Sequence, residues 1–134
     1  MSIDGFAELT LEARDLGRLE NFYTNVFGLD LLAREDDRIW LAAGENSRLG
    51  IWSPGEKEFG DEGGRHVHFA FAGSPGRLDE IAERLRNGGA SVRGPEEHDG
   101  GDRSIYVEDP EGNVVEVWDF FHRGRDVDEL RAGE

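Results

Sequence analysis

The sequence predicts an α+β fold built from two βαβββ modules that together form a cupped mixed sheet. Three observations predict it. Phe6–Ala13 and His66–Ala72 alternate apolar and polar residues with a period of two, as half-buried strands do. The stretches after Asp15 and after Ser74 place apolar residues at helical spacing. The order strand, helix, strand, strand, strand then occurs twice, as an internal repeat of about fifty to sixty residues.

The elements follow in order. In FAELTLEA, Phe6, Glu8, Thr10 and Glu12 share one face; Ala7, Leu9, Leu11 and Ala13 share the other. Asp15 is a helix N-cap, Leu16, Leu19, Phe22, Tyr23, Val26 and Phe27 form the apolar stripe, and Gly28 ends the helix. Leu29–Ala33, Arg38–Ala43 and Arg48–Trp52 read as three short strands. Ser53–Arg65, rich in Gly, Pro and charge, reads as a linker or loop, and its acidic run Glu56–Glu62 as a solvated segment. After the strand His66–Ala72, Ser74-Pro75 opens a second helix carrying Leu78, Ile81, Ala82 and Leu85, which Gly88-Gly89 closes. A short strand around Ala90–Arg93 and a loop over Gly94–Asp102 precede a hairpin, RSIYVEDPEGNVVEVWD, whose turn is Asp109-Pro110-Glu111-Gly112-Asn113. A short helix is expected over Val127–Ala132 in a charged C-terminal tail. All 134 residues are expected to form one domain, with modules at about 6–54 and 65–120.

The composition narrows the function. Thirty acidic residues against fifteen basic ones give a net charge of −15. That argues against nucleic acid and anionic membranes as partners, since both need basic surfaces, and it permits a cationic ligand. No apolar run approaches membrane-spanning length, and MSIDGFAEL lacks the pattern of an export signal, so a cytoplasmic protein is expected. With no cysteine, neither disulfides nor thiolate chemistry is available.

The chemistry-bearing residues emerge when the repeats are superposed. Glu8 lies seven residues before Asp15, and His68 lies seven before Pro75, so the two are equivalent. The last strands align Gly50 with Glu116. Glu116 is an acidic residue in an otherwise apolar strand, and a buried carboxylate needs a proton, a partner or a metal. If both sheets curve towards one cup, Glu8, His68 and Glu116 converge. Two carboxylates about 4 Å apart repel by roughly 4 kcal/mol at an effective dielectric of ~20, and a divalent cation relieves that repulsion. One nitrogen and two hard oxygens suit Mn, Fe, Co, Ni or Zn, with positions left for a chelating substrate. Otherwise Glu8 reads as an exposed strand residue and His68 as a hydrogen-bonded core histidine. His66 and His122 read as surface residues, and His98, in its Gly-rich loop, as solvent-exposed.

Three stretches, FAELTLEARDLGRLENFYTNVFGL, HVHFAFAGSPGRLDEIAERLRNGGASV and RSIYVEDPEGNVVEVW, resemble the vicinal oxygen chelate superfamily of glyoxalase I, fosfomycin-resistance proteins, extradiol dioxygenases and bleomycin-resistance proteins. The resemblance covers most of the chain. It implies metal ligands at Glu8, His68 and Glu116, with Glu8 and Glu116 as the acid–base candidates. Position 8 is often His or Gln in such families, and Gly50 stands where glyoxalase I has a fourth ligand. Fosfomycin-type members imply roles for Thr10, for Ser104 with Tyr106, for Arg123 or Arg125, and for Glu45 as a general base. Bleomycin-resistance members imply an aromatic-walled cup lined here by Trp52 and Trp118, joined by Trp40 and Tyr106. The expectation is a metal-dependent lyase, isomerase, transferase or dioxygenase, acting as a homodimer on a small oxygen-chelating substrate that Thr10, Trp52, Ser104, Tyr106 and Trp118 would bind. The alternative is a metal-free protein that sequesters a planar or cationic drug. Whether modules pair within the chain or across the dimer is left open by the sequence.

Overall fold

A computed structural model describes residues 6–53 and 67–119. The linker over 54–65, His66, the acidic run 56–62, His122, Arg123, Arg125 and the expected helix over 127–132 lie outside the described residues. The chain divides into two compact units, one running to Val67 and including the turn Asp109–Gly112, the other comprising His68–Glu108 and the chain from Asn113 onward.

The first unit holds β1 (Glu8–Glu12), α1 (Leu16–Asn21), β2 (Leu31–Glu35), β3 (Arg38–Ala42) and β4 (Arg48–Trp52). Its sheet has the order β1-β4-β3-β2, with β1 parallel to β4 and the other pairs antiparallel. Asp15 caps α1 as its sequence position predicts, its carboxylate accepting from Arg18 N–H at 3.1 Å. The helix does not continue as a plain α-helix to Phe27. It widens into a π-helical turn over Phe22–Val26, in which Phe27 N–H donates to Phe22 C=O at 2.9 Å. Phe22, Tyr23 and Val26 on this turn are buried, and Phe22, Tyr23 and Phe27 pack ring to ring at 5.1–5.8 Å. The buried apolar side chains of the strands are Leu11, Ile39, Leu41, Leu49 and Ile51, on the faces that alternation assigns to the core.

The second unit repeats the plan with β5 (His68–Ala72), α2 (Leu78–Asn87), β6 (Val92–Glu97), β7 (Arg103–Glu108) and β8 (Val114–Trp118), in the order β5-β8-β7-β6. Ser74-Pro75 opens a single 3₁₀ turn ahead of α2. The strand expected around Ala90–Arg93 instead runs from Val92 to Glu97, taking in half of the expected loop. Irregular pairing with β7 between Arg93 and Glu96 lets the strand pass Gly94-Pro95. Leu78, Ala82 and Leu85 of α2 are buried together with Ile105, Val107, Val115 and Val117. Among the described residues no helix is long and apolar enough to cross a membrane.

The turn Asp109–Gly112 is an anchor of the first unit. Gly112 supplies the positive φ of +88° that the turn requires and donates to Asp109 C=O at 2.9 Å. Asp109 accepts from Glu111 N–H with one oxygen and from the Tyr23 hydroxyl, at 2.6 Å, with the other. Tyr23 is fully buried and Asp109 nearly so. Burial first, and then the Asp109 charge, push the Tyr23 phenol far above its ordinary value, so it remains a donor at any working pH. Glu111 in turn accepts from the N–H groups of Arg14 and Asp15 ahead of α1. Hydrogen bonds to charged groups contribute about 1.5–3 kcal/mol. Tyr23→Phe, which keeps the ring packing and removes this donor, is therefore expected to lower the unfolding free energy by about that amount in a urea titration.

Candidate functional site

Strand register places the residues of interest on one face of each sheet. In the first unit, Glu8 pairs with Arg48, Thr10 with Gly50, and Glu12 with Trp52; β3 then sets Trp40 beside Gly50 and Arg38 beside Trp52. Alternation puts Glu8, Thr10, Arg48, Gly50, Trp40 and Trp52 opposite the core face of this sheet.

Glu8 is heavily engaged. Thr10 Oγ1 donates to its Oε2 at 2.6 Å and Arg48 Nε to its Oε1 at 2.5 Å. The buried indole Nε1 of Trp40 faces the same carboxylate outside hydrogen-bonding geometry, and it bonds no other described group. These donors, the Thr10 hydroxyl foremost and then Arg48, hold the Glu8 carboxyl below the usual 4.5 against an opposing effect of burial. Gly50 makes room for the arrangement: a Cβ there would lie 3.2 Å from Thr10 Oγ1 and 3.4 Å from both Glu8 Oε2 and Trp40 Cδ1. Two guanidinium groups lie over the aromatic rings, Arg38 4.1 Å from the centre of Trp52 and Arg48 5.2 Å from that of Trp40. Trp52 is 40% exposed.

In the second unit, His68 pairs with Val114, Ala70 with Glu116 and Ala72 with Trp118, while β7 sets Tyr106 beside Glu116 and Ser104 beside Trp118. Here the imidazole and the carboxylate meet: His68 Nε2 lies 3.3 Å from Glu116 Oε1. The His68 ring is also edge-on to Tyr106, 6.4 Å between centres. Tyr106 begins a hydrogen-bond chain in which Ser104 Oγ donates to the Tyr106 hydroxyl at 3.2 Å and lies 2.9 Å from His98 Nε2. Ser104 is fully buried, and its hydroxyl is taken up by Tyr106 and His98. His98 is half-buried rather than solvent-exposed, with its ring 6.1 Å from that of Trp118. The Trp118 indole donates to the buried Asp102 at 2.7 Å. Arg93 stacks over Tyr106 at 4.6 Å, and beside them is an open cavity of about 220 Å³ lined by Ser91, Arg93, Tyr106, Val107, Glu108 and Val114.

The structure therefore brings His68 together with Glu116, Ser104 with Tyr106, and Thr10 with Glu8. Among the described residues, no group of three or more His, Cys, Asp or Glu side chains is close enough to hold a metal ion. Glu8 as placed does not fit a metal ligand, because a cation and a hydroxyl already take its two oxygens. Glu45 lies on the exposed surface. Sequence reasoning missed Arg48, Arg93, Asp102 and the role of His98. The signal for Arg48 is its parity with Glu8 on the pairing strand, legible only once the parallel register is known.

Two outcomes follow. A carboxyl held below its ordinary value stabilises the fold above that value, and the contribution is lost as pH falls through the folded pKa. Wild-type protein is thus expected to lose more stability than Glu8→Gln between about pH 6 and about pH 3, read by thermal unfolding at each pH. Ser104→Ala, which takes a buried shared partner from His98 and Tyr106, is expected to cost about 1–3 kcal/mol in chemical denaturation.

The chain matches the family model of the Glyoxalase/Bleomycin resistance protein/Dioxygenase superfamily over residues 5–117. It is 29% identical over 124 residues to the virulence protein STM3117 of Salmonella typhimurium, covering 87% of this chain and 85% of that one. Among solved structures it is similar to lactoylglutathione lyase from Agrobacterium tumefaciens, with a TM-score of 0.75 and 26% identity over 89% of this chain and 96% of that one. It shares its fold with TnmS3, an antibiotic binding protein from Streptomyces, at a TM-score of 0.69 and 23% identity, covering 87% of this chain and 96% of that one. With the family match spanning both βαβββ modules, the chain belongs to the Glyoxalase/Bleomycin resistance protein/Dioxygenase superfamily.

Proposed function

We propose that this protein binds a planar, cationic small molecule against its aromatic sheet faces and does so without a metal. The fold does not choose between catalysis and binding, since the superfamily houses both. One observation carries the reading: Trp52, Trp40 and Tyr106 each already have a guanidinium group over the ring, so these rings are set where a cation is held. The net charge of −15 draws such a ligand from solution, and Glu8 is already engaged, its charge countered by Arg48 and its other oxygen bonded by Thr10. The first unit offers Trp52, half open to solvent, as a stacking face of its own, and the second unit separately offers Tyr106 beside its small cavity. Thr10, Ser104 and Trp118 shape the faces through the groups they bond.

A second reading, the metal-dependent enzyme, is supported by the His68–Glu116 pair at 3.3 Å. An imidazole nitrogen and a carboxylate oxygen are two of the three donors the resemblance calls for, and Mn, Fe, Ni, Co or Zn would suit them. Glu8, the third, does not fit as placed. A homodimer and a cytoplasmic setting belong to this proposal in either form.

The readings separate in a titration with proflavine, a planar aromatic cation, followed by tryptophan fluorescence. Saturable quenching that weakens about tenfold in Trp52→Ala, a loss of about 1.4 kcal/mol, is expected. One transition metal per chain in the purified protein by elemental mass spectrometry, lost in both Glu8→Gln and Glu116→Gln, would overturn the metal-free reading in favour of the enzyme.

A further inference from the structure

We propose that Arg48 is the residue that withholds Glu8 from metal, so that the first module carries a fixed cation of its own where its repeat carries an open imidazole–carboxylate pair. The inference rests on the metal-free reading and deepens it by naming its determinant.

The two modules supply an internal comparison. Their parallel pairs share one register: Leu9 faces Leu49 and Leu11 faces Ile51 in the first, Phe69 faces Val115 and Phe71 faces Val117 in the second. Position 48 is therefore equivalent to position 114, and position 50 to position 116. In the second unit the residue beside His68 is Val114, which offers neither charge nor hydrogen bond. His68 meets Glu116 instead, two positions further along the strand. In the first unit the residue beside Glu8 is Arg48, and the position equivalent to Glu116 is Gly50. Both differences act in one direction. Gly50 removes the second donor and leaves the space into which Thr10 Oγ1 and Trp40 close around Glu8. Arg48 then supplies the positive charge.

The chemistry of arginine makes the charge itself constant. A guanidinium stays protonated at every pH a folded protein meets, so it does not yield its place by losing a proton as lysine or histidine can. A divalent cation approaching Glu8 meets a like charge, and it competes with the Thr10 hydroxyl at the second oxygen. Arg48 also lies over Trp40, its guanidinium carbon 5.2 Å from the ring centre.

The test is calorimetric titration of Ni²⁺ and of Zn²⁺ into the chelator-treated full chain, with far-ultraviolet circular dichroism of every variant. Wild type and Glu8→Gln are expected to bind each metal alike, within about twofold, while Arg48→Met, which keeps an apolar stem over Trp40, binds about tenfold tighter. That gain is expected to vanish in Arg48→Met/Glu8→Gln and to be absent in Arg48→Lys, which retains the charge. If Arg48→Met folds and gains nothing while Glu8→Gln stays silent, Arg48 is not the determinant, yet the metal-free reading stands. If wild-type affinity falls in Glu8→Gln, Glu8 is a ligand in the native protein and both ideas fall. Should Arg48→Met fail to fold, Arg48→Ala is titrated in its place, with the same outcomes on each side.

Discussion

The parallel pairing of each module's first strand with its last is the constraint from which the site follows. A slip of one residue in that pairing would turn every side chain of a strand to the opposite face. The register is held by the core side: Leu9, Leu11, Leu49 and Ile51 in one unit, Phe69, Phe71, Val115 and Val117 in the other. What happens on the open face is a consequence. Glu8 is laid beside Arg48, and His68 beside Val114, because Leu11, Leu49 and Ile51 in one unit and Val115 and Val117 in the other are buried on the opposite face. Apolar burial thus sets the geometry of the polar groups, although none of those polar groups contributes much to stability as an exposed pair.

Glu8 and Glu116 show how one residue type takes two characters in one repeat. Both are half-buried carboxylates on an open sheet face. Glu8 accepts from a hydroxyl and a guanidinium, one on each oxygen, which favour its charged form. Glu116 meets an imidazole at 3.3 Å, a longer contact whose strength depends on where the proton resides. The first is a carboxylate already satisfied, and the second retains capacity for a ligand, a proton or an ion. Superposing the repeat from sequence treats the two as one set of ligands; the side chains around them separate them.

Much of the fold was legible because periodicity and turn chemistry are local. The alternation in FAELTLEA, the Asp15 cap and the Asp109–Gly112 turn each follow from a few neighbouring residues, and the family resemblance extends them to both modules. The π-helical turn was not legible, since Phe22, Tyr23 and Val26 fit a plain α-helical stripe equally well. The strand over Val92–Glu97 was hidden by Gly94-Pro95, a pair that normally marks a loop. Here an irregularity in pairing accommodates it. His98 reads as a surface residue among glycines, and only the return of β7 brings Ser104 within 2.9 Å of it. Of the proposed ligands, His68 and Glu116 lie 3.3 Å apart on neighbouring strands. The engagement of Glu8 depends on Arg48, forty residues away, which no local pattern connects to it.

The stacked guanidinium groups also constrain what kind of ligand the aromatic faces can hold. Each Arg–aromatic contact contributes about 0.5–2 kcal/mol, and the arginine is tethered, so it returns to its ring without a translational cost. A small organic cation offering one such contact would gain little over the side chain it displaces. A ligand competes only by covering more area than a guanidinium, as a fused aromatic system does, or by meeting an acidic group that the arginine leaves behind. Arg38 leaves Asp37, whose carboxyl it holds below the ordinary range through its hydrogen bond, and Arg93 leaves Glu96 at 3.6 Å. An extended planar ring bearing a positive charge meets both requirements at once, which is why the arginines narrow the ligand class and do not simply block the faces.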